Sequence, residues 1–223
     1  MESTTVRSLF NDLSPNYDRL NRIFSLGMDV GWRKQLVAAV ARQNPAKILD
    51  LACGSGDVTT MLQEALPKAQ IVGLDFSRPL LTQAQQRGLP GLAEADALKL
   101  PFADGSLDAI TIAVGLRNFS DRFAGLREIA RVLKPSGVFG LLEFSPPPMP
   151  WKLFWNLYLH RLMPLVAQLV ARQGESFRYL AQSIDDFPTP SALNHELAST
   201  GLKLLFSRSF SARLVQLTVC VRN

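Results

Sequence analysis

An apolar run that stops at an acid, crosses Gly-x-Gly and passes into a helical pattern constrains this chain more than any other feature. The run is Lys47-Ile48-Leu49-Asp50-Leu51-Ala52-Cys53-Gly54-Ser55-Gly56-Asp57. A second apolar run, Ile71-Val72-Gly73-Leu74, stops at Asp75. Strand, glycine turn, helix and second-strand acid together hold a nucleotide-like cofactor at the carboxyl edge of a parallel sheet. The glycines let the backbone come close, and the second-strand acid accepts hydrogen bonds from ribose hydroxyls. A tight strand-to-helix turn alone would explain the glycines, but not an acid closing both strands.

A dinucleotide site calls for a third glycine three residues after the second, so that helix and strand pack closely around a pyrophosphate. That position is Thr59, and Asp57 adds negative charge to the helix start. An adenosine cofactor with a cationic centre and no phosphate fits better, and S-adenosylmethionine has those properties.

The chain has 223 residues, 47% hydrophobic and 19% charged, enough for one core and not disordered. A net charge of +5 points to an anionic partner. The arginines are scattered, so nucleic acid is not expected. Cys53 and Cys220 form no disulfide framework, and no Cys/His spacing suggests a metal. His160 and His195 are isolated and read as surface or packing residues. The opening Met-Glu-Ser-Thr-Thr lacks the basic-then-apolar pattern of a secretory leader. No uninterrupted apolar segment reaches the ~18–20 residues that span a bilayer.

Residues 6–43 read as helical, with Val6, Phe10 and Leu13 on one face, a break at Pro15, and Trp32, Leu36, Val37 and Val40 on a further face. Strands are predicted at 47–51, 70–75, 92–95, 107–113 and 137–144, with helices at 58–66, 78–87 and 121–133. That alternation predicts a mostly parallel sheet with helical crossovers. Asp121 is placed to cap its helix, and Lys134-Pro135-Ser136-Gly137 to stop it. The prolines at 146–148 and 150 exclude helix and central strand. An apolar segment follows from Trp151 to Gln173, kinked at Pro164, then a short helix at 191–200. Strands at 203–209 and 213–221 predict an antiparallel hairpin at the sheet edge.

With these residues in place, the chain resembles the quinone-biosynthesis C-methyltransferases, which act on ubiquinone and menaquinone precursors. Tyr17-Asp18-Arg19-Leu20-Asn21, continuing through Ser25 and Gly27 to Trp32, is similar to the family's first signature, with Asp29 where a histidine is usual. Ala52-Cys53-Gly54-Ser55-Gly56 resembles the cofactor motif of the naphthoquinone branch. Leu100 to Asp104 and Thr111 to Asn118 resemble two further motifs. Arg131 to Ser145 resembles the second signature, with Ser136 replacing a glycine. Arg178 to Ile184 with Phe187-Pro188 resembles a late motif. The tail departs: Ser211-Ala212-Arg213-Leu214-Val215 stands where the family carries a glycine pair and an apolar pair.

The resemblance implies methyl transfer from a sulfonium to a ring carbon of a reduced quinone, on an α/β class I S-adenosylmethionine-dependent methyltransferase fold. That fold is Rossmann-like, with a mostly parallel seven-stranded sheet and an antiparallel closing hairpin. Residues 1–44 are expected to form a helical lid, 45–145 the cofactor core, 146–190 an apolar helical insertion, and 191–223 the closing helix and hairpin. For the cofactor, Asp50, Gly54, Ser55 and Gly56 are expected around the methionine end and Asp75 on the ribose. Asp96 and Ala97 are expected at the adenine and Ala113 against the cofactor, although Asp96 also suits a turn cap. For the acceptor, Arg117 is expected to stabilise phenolate charge and Asn118 to fix a quinone oxygen. The alternative for that pair is a turn with an Arg117–Asp121 ion pair. Tyr17 is a candidate lid residue or proton relay. Tyr179 and Phe119 are candidate substrate contacts; Tyr17 and Tyr179 also read as aromatic packing. No general base stands out, Asp18 being a weak candidate.

The apolar segment 151–173 admits three readings: a cover over an isoprenoid tail, an in-plane membrane helix with Lys152, Arg161 and Arg172 snorkelling, or a core or homodimer-interface helix. The implied substrate is a lipophilic quinol, most simply a demethylmenaquinol or demethylphylloquinol. Location is expected to be cytoplasmic, peripheral to the inner face of the membrane. The alternatives are a ubiquinone precursor or another lipophilic phenol as acceptor, an NAD-dependent reductase, and a non-catalytic membrane-associated scaffold.

Overall fold

The computed structural model describes residues 11 and 14, 17–165, 168 and 174–223. Val6, Phe10, Leu13, Pro15, the end of the apolar segment with Arg172, and the side chain of Tyr17 lie outside them.

In chain order the elements are α1 (Tyr17–Phe24), α2 (Met28–Ala41), β1 (Lys47–Leu51), α3 (Asp57–Ala65), β2 (Gln70–Asp75), α4 (Arg78–Gln86) and β3 (Leu92–Glu94). Then come β4 (Leu107–Ala113), a 3₁₀ turn (Leu116–Asn118), α5 (Arg122–Val132), β5 (Leu133–Phe144), α6 (Trp151–Leu157) and a π turn (Tyr158–Leu162). The chain closes with α7 (Gly174–Asp185), α8 (Pro190–Ser199), β6 (Leu202–Phe210) and β7 (Val215–Arg222).

The strands form one seven-stranded sheet in the order β3-β2-β1-β4-β5-β7-β6. Neighbours from β3 to β5 are parallel, and β7 runs antiparallel to both β5 and β6. The first three strands step one way and β4 starts again on the other side of β1. That reversal opens a crevice at the carboxyl ends of β1 and β4, where ligands bind in such sheets.

Alternation along the strands feeds two cores, one on each face. Ile48 packs with Trp32, Leu36, Val40 and Leu62. Leu49 and Leu51 pack with Ile110, Ile112, Leu126 and Ile129 on the other face. Burial on both faces explains why the parallel strands read as unbroken apolar runs.

The observed bounds of β1, β2 and β4 match the expected ones, and Asp121 caps α5 by accepting from the Ala124 N–H at 2.9 Å. β5 begins at Leu133 rather than at 137, because Leu133 pairs with Leu107 before the register slips and resumes at Ala109 and Val138. Lys134-Pro135-Ser136-Gly137 does end the helix, but as part of an irregular strand with Ser136 at φ 63°. The π turn falls just before Pro164, which has no N–H to donate to an α-helical ladder.

The edge strand β6 is exposed from Lys203 to Ser209, and its pairing with β7 shifts register between Leu204 and Phe206. The turn from β6 to β7 holds Ser211, Ala212 and Arg213 at φ 48°, 52° and 69°. These left-handed positions fall where the resembled family carries glycines.

Candidate active site

A cavity of ≈ 510 Å³ opens at the switch point, and its wall includes Gly54, Asp75, Asp96, Ala97, Asn118 and Phe119. That volume is within the roughly 300–1,000 Å³ of small-molecule sites.

The two glycines of the loop have different tasks. Gly54, at φ 56°, faces the cavity, and its N–H donates to Asp75 Oδ2 at 2.8 Å. Gly56, at φ 91°, precedes α3 and packs away from the cavity: a Cβ there would lie 2.2 Å from Leu89 Cδ1. Ser55 is buried and donates its hydroxyl to Asp18 at 2.6 Å. Ser55 and Gly56 therefore shape the loop from behind and do not stand on the cavity wall. Asp18, the weak candidate base, is occupied by Ser55 and by an ion pair with Arg87.

Asp50 is also turned away from the cavity. It shares a face of β1 with Ile48, which aims its carboxylate at the layer containing α3. Thr59 and Thr111 donate their hydroxyls to it at 2.6 and 2.8 Å. The residue that fills the third-glycine position thus supplies a hydrogen bond to the first-strand acid. Burial pushes the Asp50 carboxyl up to about 6, with Asp75 adding to the rise and the two threonine hydroxyls opposing it. Asp75 lies on the wall, and its Oδ1 accepts the Ser77 N–H at 2.8 Å. Burial raises its pKa too, against hydrogen bonds from the backbone of Ser77, Gly54 and Phe76.

Neither carboxylate is in an ion pair among the described residues. Glu94 and Asp96 add further acids to the wall, where Arg78 is paired with Glu94 at 2.9 Å. Arg78 offsets Glu94, so Asp75 and Asp96, in no ion pair among the described residues, are the wall acids that favour a cationic ligand over a pyrophosphate. The residues present therefore fit S-adenosylmethionine: Asp75 retains lone pairs for ribose hydroxyls, and Gly54 allows close backbone approach. Asp57 turns out to be neutralised locally, by Arg87 at 2.8 Å, Arg33 at 3.2 Å and Arg22 at 3.8 Å. Its charge is thus no argument against a phosphate; the acids of the wall carry that argument instead.

At the expected adenine end, Asp96 and Ala97 line the cavity, while Asp96 Oδ1 also accepts the Leu98 N–H at 2.9 Å. Asp96 thus both caps this turn and stands on the cavity wall. Ala113 is not on the wall. The residues that follow it are: Val114, at φ 64°, with its N–H bonded to Leu142 O at 2.7 Å, and Gly115. A Cβ on Gly115 would come within 2.7 Å of Ala52 Cβ, so glycine is required where the two loops meet.

On the acceptor side, Arg117 differs most from expectation. Its partner is Glu143, at 2.7 Å, and not Asp121, and the two side chains are 3% and 1% exposed. Arg117 also donates to Val114 O at 3.1 Å and Ser183 Oγ at 3.2 Å, and lies over the Phe144 ring. A guanidinium so enclosed braces the end of β4 against β5 and α7 and has no free charge to offer a phenolate. Asn118 and Phe119 do reach the cavity wall, and the Tyr179 hydroxyl donates to Asn118 Oδ1 at 3.2 Å. Burial raises the Tyr179 pKa, against the opposing influence of Arg117, so the phenol is protonated at neutral pH. Tyr17 opens α1, with its side chain outside the described residues. Glu143 and Ser183, which hold Arg117, were not expected there. Glu143 carried the same signal as Asp50 and Asp75, an acid at the close of an apolar strand.

Comparison with known proteins gives the same chemistry. The sequence matches the ubiE/COQ5 methyltransferase family over residues 1–221. It is 42% identical over 204 residues to a demethylmenaquinone methyltransferase of Thermus thermophilus, covering 89% of this chain and 93% of that one. It is 42% identical over 207 residues to a demethylmenaquinone methyltransferase of Thermotoga maritima, covering 91% and 90%. Among solved structures, an S-adenosylmethionine-dependent methyltransferase of Thermotoga maritima superposes with a TM-score of 0.71 at 13% identity, over 98% of this chain and 100% of that one. One from Aquifex aeolicus superposes with a TM-score of 0.59 at 14% identity, over 84% and 89%. These structural likenesses establish the class I Rossmann-like fold. The chain belongs to the ubiE/COQ5 methyltransferase family and is an S-adenosylmethionine-dependent methyltransferase.

Proposed function

We propose that this enzyme methylates a ring carbon of a reduced demethylnaphthoquinone bearing an isoprenoid tail, a demethylmenaquinol, in menaquinone biosynthesis. The observation that carries this reading is the shared description of the two relatives named above, each 42% identical to this chain and each a demethylmenaquinone methyltransferase.

Bound S-adenosylmethionine supplies an electrophilic methyl group and needs no metal. The chain's task is to align that methyl with the acceptor carbon, at about 3–3.5 Å, in a pocket short of water. Asp75 and the Gly54 backbone hold the donor end. Asn118, fixed by the Tyr179 phenol, turns its amide N–H₂ toward a quinol oxygen, and Phe119 offers a flat apolar surface to the ring. Because Arg117 is already neutralised by Glu143, the acceptor side favours a neutral quinol over an anionic head group such as a carboxylated phenol.

The test is incubation with labelled S-adenosylmethionine and a panel of reduced benzoquinols and naphthoquinols, with product mass and methyl position read out. C-methylation of the naphthoquinol is expected. Preference for a benzoquinol would move the enzyme to ubiquinone precursors, and transfer to oxygen would defeat the mechanism while sparing the fold. A non-catalytic scaffold would transfer nothing.

A further inference from the structure

From Trp151 to Leu165 the segment beginning at α6 shows apolar side chains to solvent. No residue of α6 is buried, and Leu153, Phe154 and Leu157 are 76%, 58% and 58% exposed. Leu162, the last residue of the π turn, and Leu165 beyond it are exposed as well. The opposite side is anchored: Leu159 and Met163 are buried, and Trp155 and Tyr158 pack on the core. Tyr158 donates its hydroxyl to Phe24 O at 2.7 Å, which places the end of α1 against the segment, and Leu26, just past that contact, is 79% exposed. The segment is thus docked on the protein by one face and leaves a second, apolar face without cover among the described residues.

Charge decides what covers it. Between Glu143 and Glu175 the sequence contains no acid, while Lys152, His160, Arg161 and Arg172 fall inside that interval. Among the described residues, the acid paired with a side chain of this interval is Asp185, which meets His160 at 2.8 Å. Lys152 and Arg161 are exposed beside the leucines. A second copy of this chain is a poor occupant, since a two-fold contact on this face would bring like charges together without an acid to separate them. No helix among the described residues is long and apolar enough to cross a membrane. An apolar face rimmed by cations and lying along the surface is suited to the boundary between headgroups and acyl chains.

We propose that this face docks on an anionic phospholipid bilayer. Leu153, Phe154, Leu157, Leu162 and Leu165 enter the acyl boundary, and Lys152 and Arg161 meet headgroup phosphates. The proposal rests on the reading of the acceptor as a tailed quinol, a substrate dissolved in that bilayer, and it names the surface through which the enzyme reaches it.

Flotation of the full chain with phosphatidylcholine vesicles, with and without phosphatidylglycerol, tests this. Co-flotation is expected only with phosphatidylglycerol present, weakening as salt is raised. The double substitution Leu153→Ser/Leu157→Ser is expected to weaken vesicle binding roughly tenfold or more. It is expected to leave S-adenosylmethionine affinity and turnover of a short-tailed, water-soluble naphthoquinol unchanged. Lys152→Glu/Arg161→Glu is an independent arm that keeps the leucines and is expected to abolish the preference for anionic vesicles. The proposal is overturned if the parent chain does not float, if either variant floats as the parent does, or if the leucine variant only converts a dimer to a monomer. Absence of any methylation of the soluble naphthoquinol would instead defeat the proposed function, and flotation would still report on the surface.

Discussion

The proposed donor and acceptor halves of the site treat buried charge in opposite ways. On the donor side, Asp75 on the cavity wall and Asp50 turned away from it are buried with hydrogen-bond donors around them, and neither is in an ion pair among the described residues. On the acceptor side, Arg117 and Glu143 are buried against each other. The difference teaches what each half is prepared to receive. A buried acid without a counter-charge favours a ligand that brings one, and a sulfonium does. A buried pair that is already closed favours a ligand that brings none, as a neutral quinol does.

The largest effect is expected where the closed pair is opened. Glu143→Ala leaves the Arg117 guanidinium buried alone, and loss of one member of such a pair costs about 3–5 kcal/mol. Urea denaturation should show that loss, and Arg117→Met/Glu143→Leu should recover much of it. If Arg117 instead acted as a free cation on the acceptor, Glu143→Ala would leave stability near that of the parent and alter turnover alone.

Asp50 tests the open half through pH. Its folded pKa of about 6 lies above the ordinary 3.8, so the contribution of this group to stability is full below the ordinary value and is lost as pH rises through 6. The integrated cost at neutral pH is about 3 kcal/mol. Asp50→Asn should therefore gain stability relative to the parent as pH is raised from 4 to 7, read as the difference between two denaturation series. A difference that stays flat across that window would show that Asp50 is not ionised at a cost.

Asp75→Asn should weaken S-adenosylmethionine binding by about 2–3 kcal/mol in calorimetry, because the amide cannot accept the Gly54 and Ser77 N–H groups together. Unchanged affinity would remove Asp75 from the donor site. On the acceptor side, Tyr179→Phe removes one neutral hydrogen bond to Asn118, worth about 1 kcal/mol. Turnover should fall by up to roughly tenfold with donor affinity intact. A matching loss of donor affinity would mean that the two halves are not separate.

Much of the donor half was legible because its signals are local. An apolar run closed by Asp50, a glycine turn and a second run closed by Asp75 fix strands, crossover and crevice together. Periodicity also gave the bounds of β1, β2 and β4, whose burial on both faces leaves no ambiguity about where the apolar run stops. What could not be read was direction within the loop. Ser55, Gly56 and Asp50 belong to the motif, yet they face α1, Leu89 and the threonines, and only the folded backbone decides that. Ala113 was one residue short of the wall for the same reason. The acceptor half depended on contacts distant in sequence. Asp121 was the near acid for Arg117 and helix capping took it, while Glu143 became the partner because β4 and β5 are adjacent.

The exposed edge strand β6 has a bearing on how this protein behaves when concentrated. Its outer rim, paired with no strand among the described residues and next to Leu204, Leu205 and Phe206, is a template on which another chain could add a strand. The slip in register beside Leu205 spoils the regular spacing such a guest would need, and Lys203 and Arg208 bring charge to the same rim. Deleting Leu205 would straighten this border, and the protein should then be lost to ordered aggregation at concentrations the parent tolerates.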